Sequence, residues 1–259
     1  MPGKKVSGHM AALRQALAGA EQITTQQAME LLGVSESTVR RLFARLAQQG
    51  DIVRTFGGIC RPAAADAYSY DQLAEQAQEA KGQIARQAVA LVQEGDVLYL
   101  DGGTTNAVMA AALAARLRGG QLCEVRVFTN SLSTLSALAG ACPVHLIGGR
   151  YRPNRRDFCG YMAEEDVARL RFTRCFLGAD GCDAERGFTT TDFETARLCG
   201  LVLAASGESY VLADSGKFGR VSLVPYAQTG QVGAVITDAG VSAAARAGFA
   251  AAGGRLLAP

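Results

Sequence analysis

No apolar run in the 259 residues approaches the roughly 18 that a membrane-crossing helix needs. The opening MPGKKVSGHM has no apolar stretch of the secretory kind and reads as a partly disordered tail. Histidine occurs twice, at His9 and His145. The seven cysteines (Cys60, Cys123, Cys142, Cys159, Cys175, Cys182 and Cys199) are odd in number and form no C-x-x-C pair. Zinc sites and disulfide frameworks are therefore not expected, and a reducing cytoplasm fits best. No G-x-G-x-x-G follows the first strand of the larger half. SGKFG is not a P-loop: Val211 stands where the first glycine belongs, and Phe218 replaces the Ser or Thr. TNSLS lacks the G-x-S-x-G elbow of hydrolases. Nucleotide hydrolysis and a bound cofactor are not expected.

What is there suits a globular chain with a sizeable core, at 49% hydrophobic and 19% charged residues. Its net charge of +2 is unevenly spread, with eight basic residues against four acidic ones up to Arg61. A basic end of this kind points to a nucleic-acid partner.

That end carries three short helical patterns. Met10, Leu13 and Leu17 share one face. Thr24 with Gln27 three residues on fits a capping box, and Gly33 stops the second helix. In VSESTVRRLFARLAQQG, Ser35 caps the start and Gly50 marks the end. Val39, Leu42, Phe43 and Leu46 recur at helical spacing and face inward. Ser37, Thr38, Arg41 and Arg45 lie on the opposite side, with Arg40 at the flank. A short turn between the second and third helices completes a helix-turn-helix, whose second helix enters a DNA major groove. In DIVRTFGGI, β-forming residues flank Arg54, and Gly57-Gly58 allow a tight turn. A wing there would bring Arg54 to a phosphate or minor groove. The candidate DNA-binding residues are Ser35, Ser37, Thr38, Arg40, Arg41, Arg45 and Arg54.

CRPAAADAYSYD reads as a linker, giving a DNA-binding domain over 1–58, a linker over 59–72 and a second domain over 73–259. In the second domain, strand-like VLYLDG, VRVFTN, VHLIGG, RCFLGADG, SYVLADSG, GAVITDAG and a short GRLLAP alternate with helical patterns. That order predicts an α/β domain with a mainly parallel sheet covered by helices. Ligands of such sheets bind beyond the carboxyl ends of the strands. Those ends carry Asp101, Gly102, Gly103, Thr104 and Thr105; Asn130 and Ser131; Gly149 and Arg152; Asp180 and Gly181; and Asp214 with Lys217. Each alone is most simply a cap or a turn. Together they suggest an anionic polyol such as a sugar phosphate. Lys217 and the Gly102–Thr105 loop would hold phosphate at a helix start, and the carboxylates and Asn130 would bind hydroxyls.

LLGVSESTVRRLFARLAQQGDIVRTFGG closely resembles the N-terminal signature of DeoR-type bacterial transcription regulators, V-S-x-x-T-[IV]-R-R-D-L-x-x-L-x-x-x-G-x-[IL]-x-R-x-x-G-G. Val34, Ser35, Thr38, Val39, Arg40, Arg41, Leu46, Gly50, Arg54, Gly57 and Gly58 match it. Leu42 stands where the family usually has Asp. LDGGTT, FTNS, HLIGGRYR, FLGADG and LADSGKFG follow in the family's order and spacing. The resemblance implies a winged helix-turn-helix followed by a domain similar to ribose-5-phosphate isomerase. It implies that Asp101 with Gly103 to Thr105, and Asp214 with Lys217, contact an effector. It further implies a repressor of a carbohydrate-catabolic operon, with operator DNA, a phosphorylated sugar and other copies of the chain (a dimer or tetramer) as partners.

An isomerase-like enzyme with an appended DNA-binding domain is the rival reading. Isomerization needs a base to move a proton between adjacent carbons. The isomerase motif resembles Asp-Gly-Ala-Asp, and Leu177 stands at its first carboxylate here. Glu194 is a candidate base that fits a helix's first turn better. The expectation is a sensor, not an enzyme.

Overall fold

The computed structural model describes residues 2–18, 22–48, 52–55, 58–60 and 68–259. The chain divides into two units, residues 1–67 and 68–259.

In the first unit, α1 (Pro2–Ala18) is a helix from its second residue, in place of the expected disordered tail. Pro2 suits a first helical position, where a missing N–H costs nothing. The buried Met10, Leu13 and Leu17 anchor the helix. Strand β1 (Gln22–Thr24) leads into α2 (Thr25–Leu32). The capping box forms as read: the Gln27 N–H donates to Thr24 Oγ1 at 3.1 Å, and the Thr24 N–H donates to Gln27 Oε1 at 2.9 Å. Gly33, at φ 62°, ends the helix in the left-handed conformation. Helix α3 (Glu36–Gln48) buries Val39, Leu42, Phe43 and Leu46. Leu42, where the family usually has Asp, is 3% exposed and packs in this core. Strands β2 (Val53–Thr55) and β3 (Gly58–Cys60) pair antiparallel, and β3 also pairs with β1. Gly58 serves close approach: a Cβ there would lie 2.3 Å from the Ile23 carbonyl oxygen. Gly50, Phe56, Gly57 and the side chain of Arg54 lie outside the described residues.

Of the linker expected over 59–72, residues 61–67 lie outside the described residues. Ile59 and Cys60 belong to β3, and from Tyr68 the chain is part of the second unit.

The second unit begins with α4 (Tyr70–Glu75) and α5 (Gln78–Ala90). Then follow β4 (Val97–Leu100), α6 (Thr104–Arg118), β5 (Arg126–Thr129), α7 (Leu132–Leu138) and β6 (Val144–Leu146). A hairpin of β7 (Arg150–Arg152) and β8 (Asp157–Cys159) leads to α8 (Tyr161–Ala168) and β9 (Phe172–Gly178). Next are β10 (Gly181–Asp183), β11 (Gly187–Thr190), α9 (Phe193–Ala204), β12 (Ser206–Leu212) and β13 (Val224–Ala227). The chain closes with β14 (Ala234–Ile236), α10 (Ala243–Ala251) and β15 (Leu256–Leu257).

Seven strands form one parallel sheet in the order β15-β14-β12-β9-β4-β5-β6. Both faces are covered, so the central strands are apolar at successive positions. Leu98, Leu100, Phe176 and Ile236 pack against α5, α6 and α7. Tyr99, Cys175, Leu177 and Val211 pack against α8 and α9 on the other face. From β4 the chain steps outward to β5 and β6, then returns to β4's other side with β9. The winding reverses between β4 and β9, where a crevice opens at the strands' carboxyl ends. The sequence reading did not place two further sheets. These are the β7–β8 hairpin and an antiparallel trio in the order β10-β11-β13.

Candidate functional site

The crevice is built from the end of β4 outward. Asp101 is 7% exposed, and its Oδ2 accepts the Gly178 N–H at 3.0 Å, bridging the ends of β4 and β9. Burial raises its pKa above the ordinary carboxylate value, and the Gly178 and Gly102 N–H groups pull the other way. Gly102 packs closely on the hairpin: a Cβ there would lie 3.1 Å from the Cβ and Oδ2 of Asp157, so Asp157 would have to give way. Gly103 caps α6 without any side-chain bond, so the first N–H groups of this 15-residue helix keep their anion-binding capacity. Asn106, in the first turn, is fully buried, and neither Oδ1 nor Nδ2 has a partner among the described residues. Such an amide costs free energy unless something pairs with it.

The end of β9 supplies Asp180. Its Oδ2 accepts from the Thr191 N–H at 3.0 Å and from the Thr190 and Thr191 hydroxyls at 3.1 and 3.2 Å. The end of β12 supplies Asp214, whose Oδ1 accepts the Gly216 N–H at 3.0 Å and caps the turn that carries Lys217. A pocket of about 250 Å³ joins these groups. Its charged lining is Asp101, Asp157, Asp180 and Asp214 with Lys81, Arg155, Lys217 and Arg220. Equal numbers of carboxylates and cations suit a ligand that is anionic at one point and hydroxylated elsewhere.

Asp101, Gly102, Gly103, Thr104, Thr105, Asp180, Asp214 and Lys217 thus line one pocket, while Asn130, Ser131, Gly149, Arg152 and Gly181 do not. The β7–β8 hairpin covers the end of β5, with Ser131 bridged to Asp157 and the Leu132 N–H donating to the Arg156 carbonyl at 3.0 Å. Asn130 Nδ2 donates to the Phe158 carbonyl at 3.0 Å, and Ser131 Oγ caps α7 through the Thr134 N–H at 3.2 Å. Gly149, at φ 143°, passes so close to the hairpin that a Cβ would lie 2.6 Å from the Cys159 carbonyl oxygen. Gly181 is packed against the Arg220 carbonyl in the same manner, at 2.5 Å. Arg152 grips Asp157 with two bonds of 2.8 and 2.7 Å and reaches Asp192 at 2.8 Å. It positions Asp157, which lines the pocket in its stead.

Several lining residues were missed. Arg155 comes from the arginine-rich segment in which Arg152 was singled out; its guanidinium lies 3.9 Å over the Tyr68 ring and pairs with Asp192 at 3.0 Å. Lys81 carried a legible signal. It shares the buried face of α5 with Ile84, Ala85 and Ala88, at spacings of three, four and seven. A cation on an apolar stripe needs a reason. Glu194 stands in the first turn of α9, bonds Arg150 and does not line the pocket.

On the first unit, Ser35, Ser37, Arg40, Arg41 and Arg45 are exposed along α3, and Thr38 is half-buried. Ser35 Oγ lies 3.1 Å from both the Ser37 and the Thr38 hydroxyl oxygens, in place of a simple backbone cap. Arg40 pairs with Glu36 at 2.6 Å, one helical turn back.

Two family models match the chain. The DeoR-like helix-turn-helix domain covers residues 10–63 and the DeoR C-terminal sensor domain covers residues 76–239. A putative aga operon transcriptional repressor of Escherichia coli O157:H7 is 32% identical over 228 residues, covering 86% of this chain and 82% of that protein. A lactose phosphotransferase system repressor of Staphylococcus epidermidis is 28% identical over 225 residues, covering 83% and 85%. Among solved structures, ribose 5-phosphate isomerase A of Methanocaldococcus jannaschii aligns over 53% of each chain at 21% identity, with a TM-score of 0.40. No described helix is long and apolar enough to cross a membrane.

Proposed function

The chain belongs to the DeoR family, and from that premise we propose that it is a DNA-binding transcriptional repressor of a carbohydrate-catabolic operon. A phosphorylated sugar or related metabolite, bound in the pocket between the ends of β4, β9 and β12, relieves repression. The relatives named for sugar operons support the first part. One observation carries the second: Asn106 lines the pocket at the uncapped start of α6, fully buried and without a partner for either amide atom. A phosphate on the α6 N–H groups, with Lys217 beside it, leaves the hydroxyls of the ligand to Asp101, Asp180 and Asp214.

The α3 side chains, Arg41 and Arg45 foremost, contact phosphates and base edges of operator DNA. Copies of the chain assemble as a dimer or tetramer that reads repeated half-sites. The metabolite binds one arrangement of the sensor more tightly than the other and thereby shifts operator affinity. The isomerase reading is disfavoured because Glu194 is engaged by Arg150 away from the pocket.

A thermal-shift screen against phosphorylated sugars, polyols and sugar acids tests the pocket. A true ligand raises the melting temperature by mass action, and its unphosphorylated form does not. Incubating the hit with the protein and finding it converted to an isomer would reinstate the enzyme. Arg41→Ala weakens operator binding in a mobility-shift titration at fixed salt and leaves the thermal shift intact. Unchanged operator affinity removes Arg41 from the interface.

A further inference from the structure

One wall of the pocket is the strap Tyr68–Ala77, the segment that follows directly on the first unit. Tyr68, Leu73, Gln76 and Ala77 line the cavity. The strap is tied to the second unit at a few points. Tyr68 lies under Arg155, the Tyr70 N–H donates to the Asn154 carbonyl at 2.8 Å, and Asp71 pairs with Arg156 at 2.6 Å. Its helix, α4, is only six residues long, and Ala77 breaks it from α5 with a left-handed φ of 51°. The Gln78 side chain donates to the Ala74 carbonyl, Arg156 lies over the Tyr70 ring, and Lys81 Nζ donates to the Leu73 carbonyl.

Lys81 differs from the other ties. It is 4% exposed, lines the pocket and sits on α5, a helix seated in the sheet core by Ile84, Ala85, Ala88 and Val89. Its ammonium has three protons, and a single carbonyl acceptor is its one hydrogen-bond partner among the described residues. Burial lowers its pKa, with Asp214 opposing and Lys217 reinforcing the effect. Two lysines, Lys81 and Lys217, therefore line the cavity beside Arg155 and Arg220, and Lys81 is spent on a neutral carbonyl. An anion adds a Coulomb attraction that a neutral carbonyl does not supply, and a phosphate offers acceptors for the ammonium's other protons.

Resting on the pocket reading above, we infer that Lys81 is a second anion-binding residue and that the anion takes it from Leu73. Occupancy then frees the carbonyl end of α4 and loosens the strap. Because the strap begins where the first unit ends, the pocket reports on its contents through the tether of the DNA-binding unit.

The sequence contains no tryptophan, so Tyr68→Trp places a single fluorophore on the strap and keeps a ring under Arg155. The full-length variant is titrated with inorganic phosphate, reading melting temperature for binding and acrylamide quenching of the tryptophan for the strap. Both signals should rise with one midpoint. Adding Lys81→Met should weaken phosphate at least about tenfold and leave the tryptophan silent at saturation. Hydrogen exchange of residues 68–77 in the unsubstituted chain reads the same loosening without the fluorophore. A thermal shift with an unmoved strap, or a strap that moves equally with Lys81→Met, overturns the inference and leaves the pocket reading intact. No phosphate-dependent thermal shift in any of the proteins removes both.

Discussion

Asp101 follows β4 and Asn130 follows β5, its neighbour in the same parallel sheet. Both are buried polar residues one position past an apolar strand, and both precede a helix. Asp101 opens into the pocket, whereas Asn130 is bonded to the β7–β8 hairpin and its neighbour Ser131 caps α7. Residue chemistry does not separate them; position relative to the winding reversal does. Beside β4 the returning β9 leaves a crevice, while over β5 the chain folds its hairpin down and spends the polar groups on itself. The same residue types thus become a pocket wall in one place and scaffold in the other.

Substitutions on the two sides should therefore act on different quantities. Arg152→Ala should have the largest effect. It strands the buried Asp157 carboxylate and costs about 3–5 kcal/mol in denaturant unfolding. A loss below about 1 kcal/mol would make Arg152 a ligand residue after all. Gly149→Ala comes next, at about 1–3 kcal/mol, because φ 143° and the Cys159 carbonyl both resist a side chain. On the pocket side the sign reverses. The raised pKa of Asp101 means that its contribution to stability is fully present below the ordinary carboxylate value of about 4 and is lost as pH rises through the folded-state value. Asp101→Asn should therefore melt higher than the parent at neutral pH, with the gap closing on acidification. A gap that widens on acidification would contradict the burial argument. The smallest effect on stability is expected for Lys217→Ala, within about 0.5 kcal/mol, with loss of the metabolite response and retention of DNA binding. A variant that still responds at wild-type concentration removes Lys217 from the site.

The parts of this architecture that are local were legible. Thr24 with Gln27, the Gly33 stop, the buried stripe of α3 and all seven strands of the main sheet follow from spacing and composition. So did the eight pocket residues on the ends of β4, β9 and β12, since strand ends and the helix starts beyond them are local features. What failed was neighbourhood. Nothing in RYRPNRRDFCG says that Arg152 turns to Asp157 and Asp192 while Arg155 and Asp157 reach the pocket, because those partners come from a hairpin and a distant cap. Strands β10 (Gly-Cys-Asp) and β11 (Gly-Phe-Thr-Thr) carry one strongly apolar residue each, so no apolar run marks them as it marks the equally short β14. Tyr68 reads as linker in the sequence because small residues and Pro62 precede it. Lys81 is the exception, since its place on the apolar stripe of α5 is itself a local signal.

The Asp101–Gly178 bond that joins β4 to β9 spans 77 residues of chain, and the pocket draws its lining from Tyr68 to Arg220. The first unit closes its own apolar core within residues 10–59. During synthesis the two therefore mature at different times, since contacts distant in sequence wait for the chain that makes them. A nascent chain, or one clipped by a protease before β9, carries the helix-turn-helix unit without a complete pocket. In the repressor proposed above, such a fragment would bind operator without answering to the pocket. The Asp101–Gly178 bond sets the earliest point in synthesis at which β4 and β9 can be joined, and the lining out to Arg220 sets when the pocket is complete.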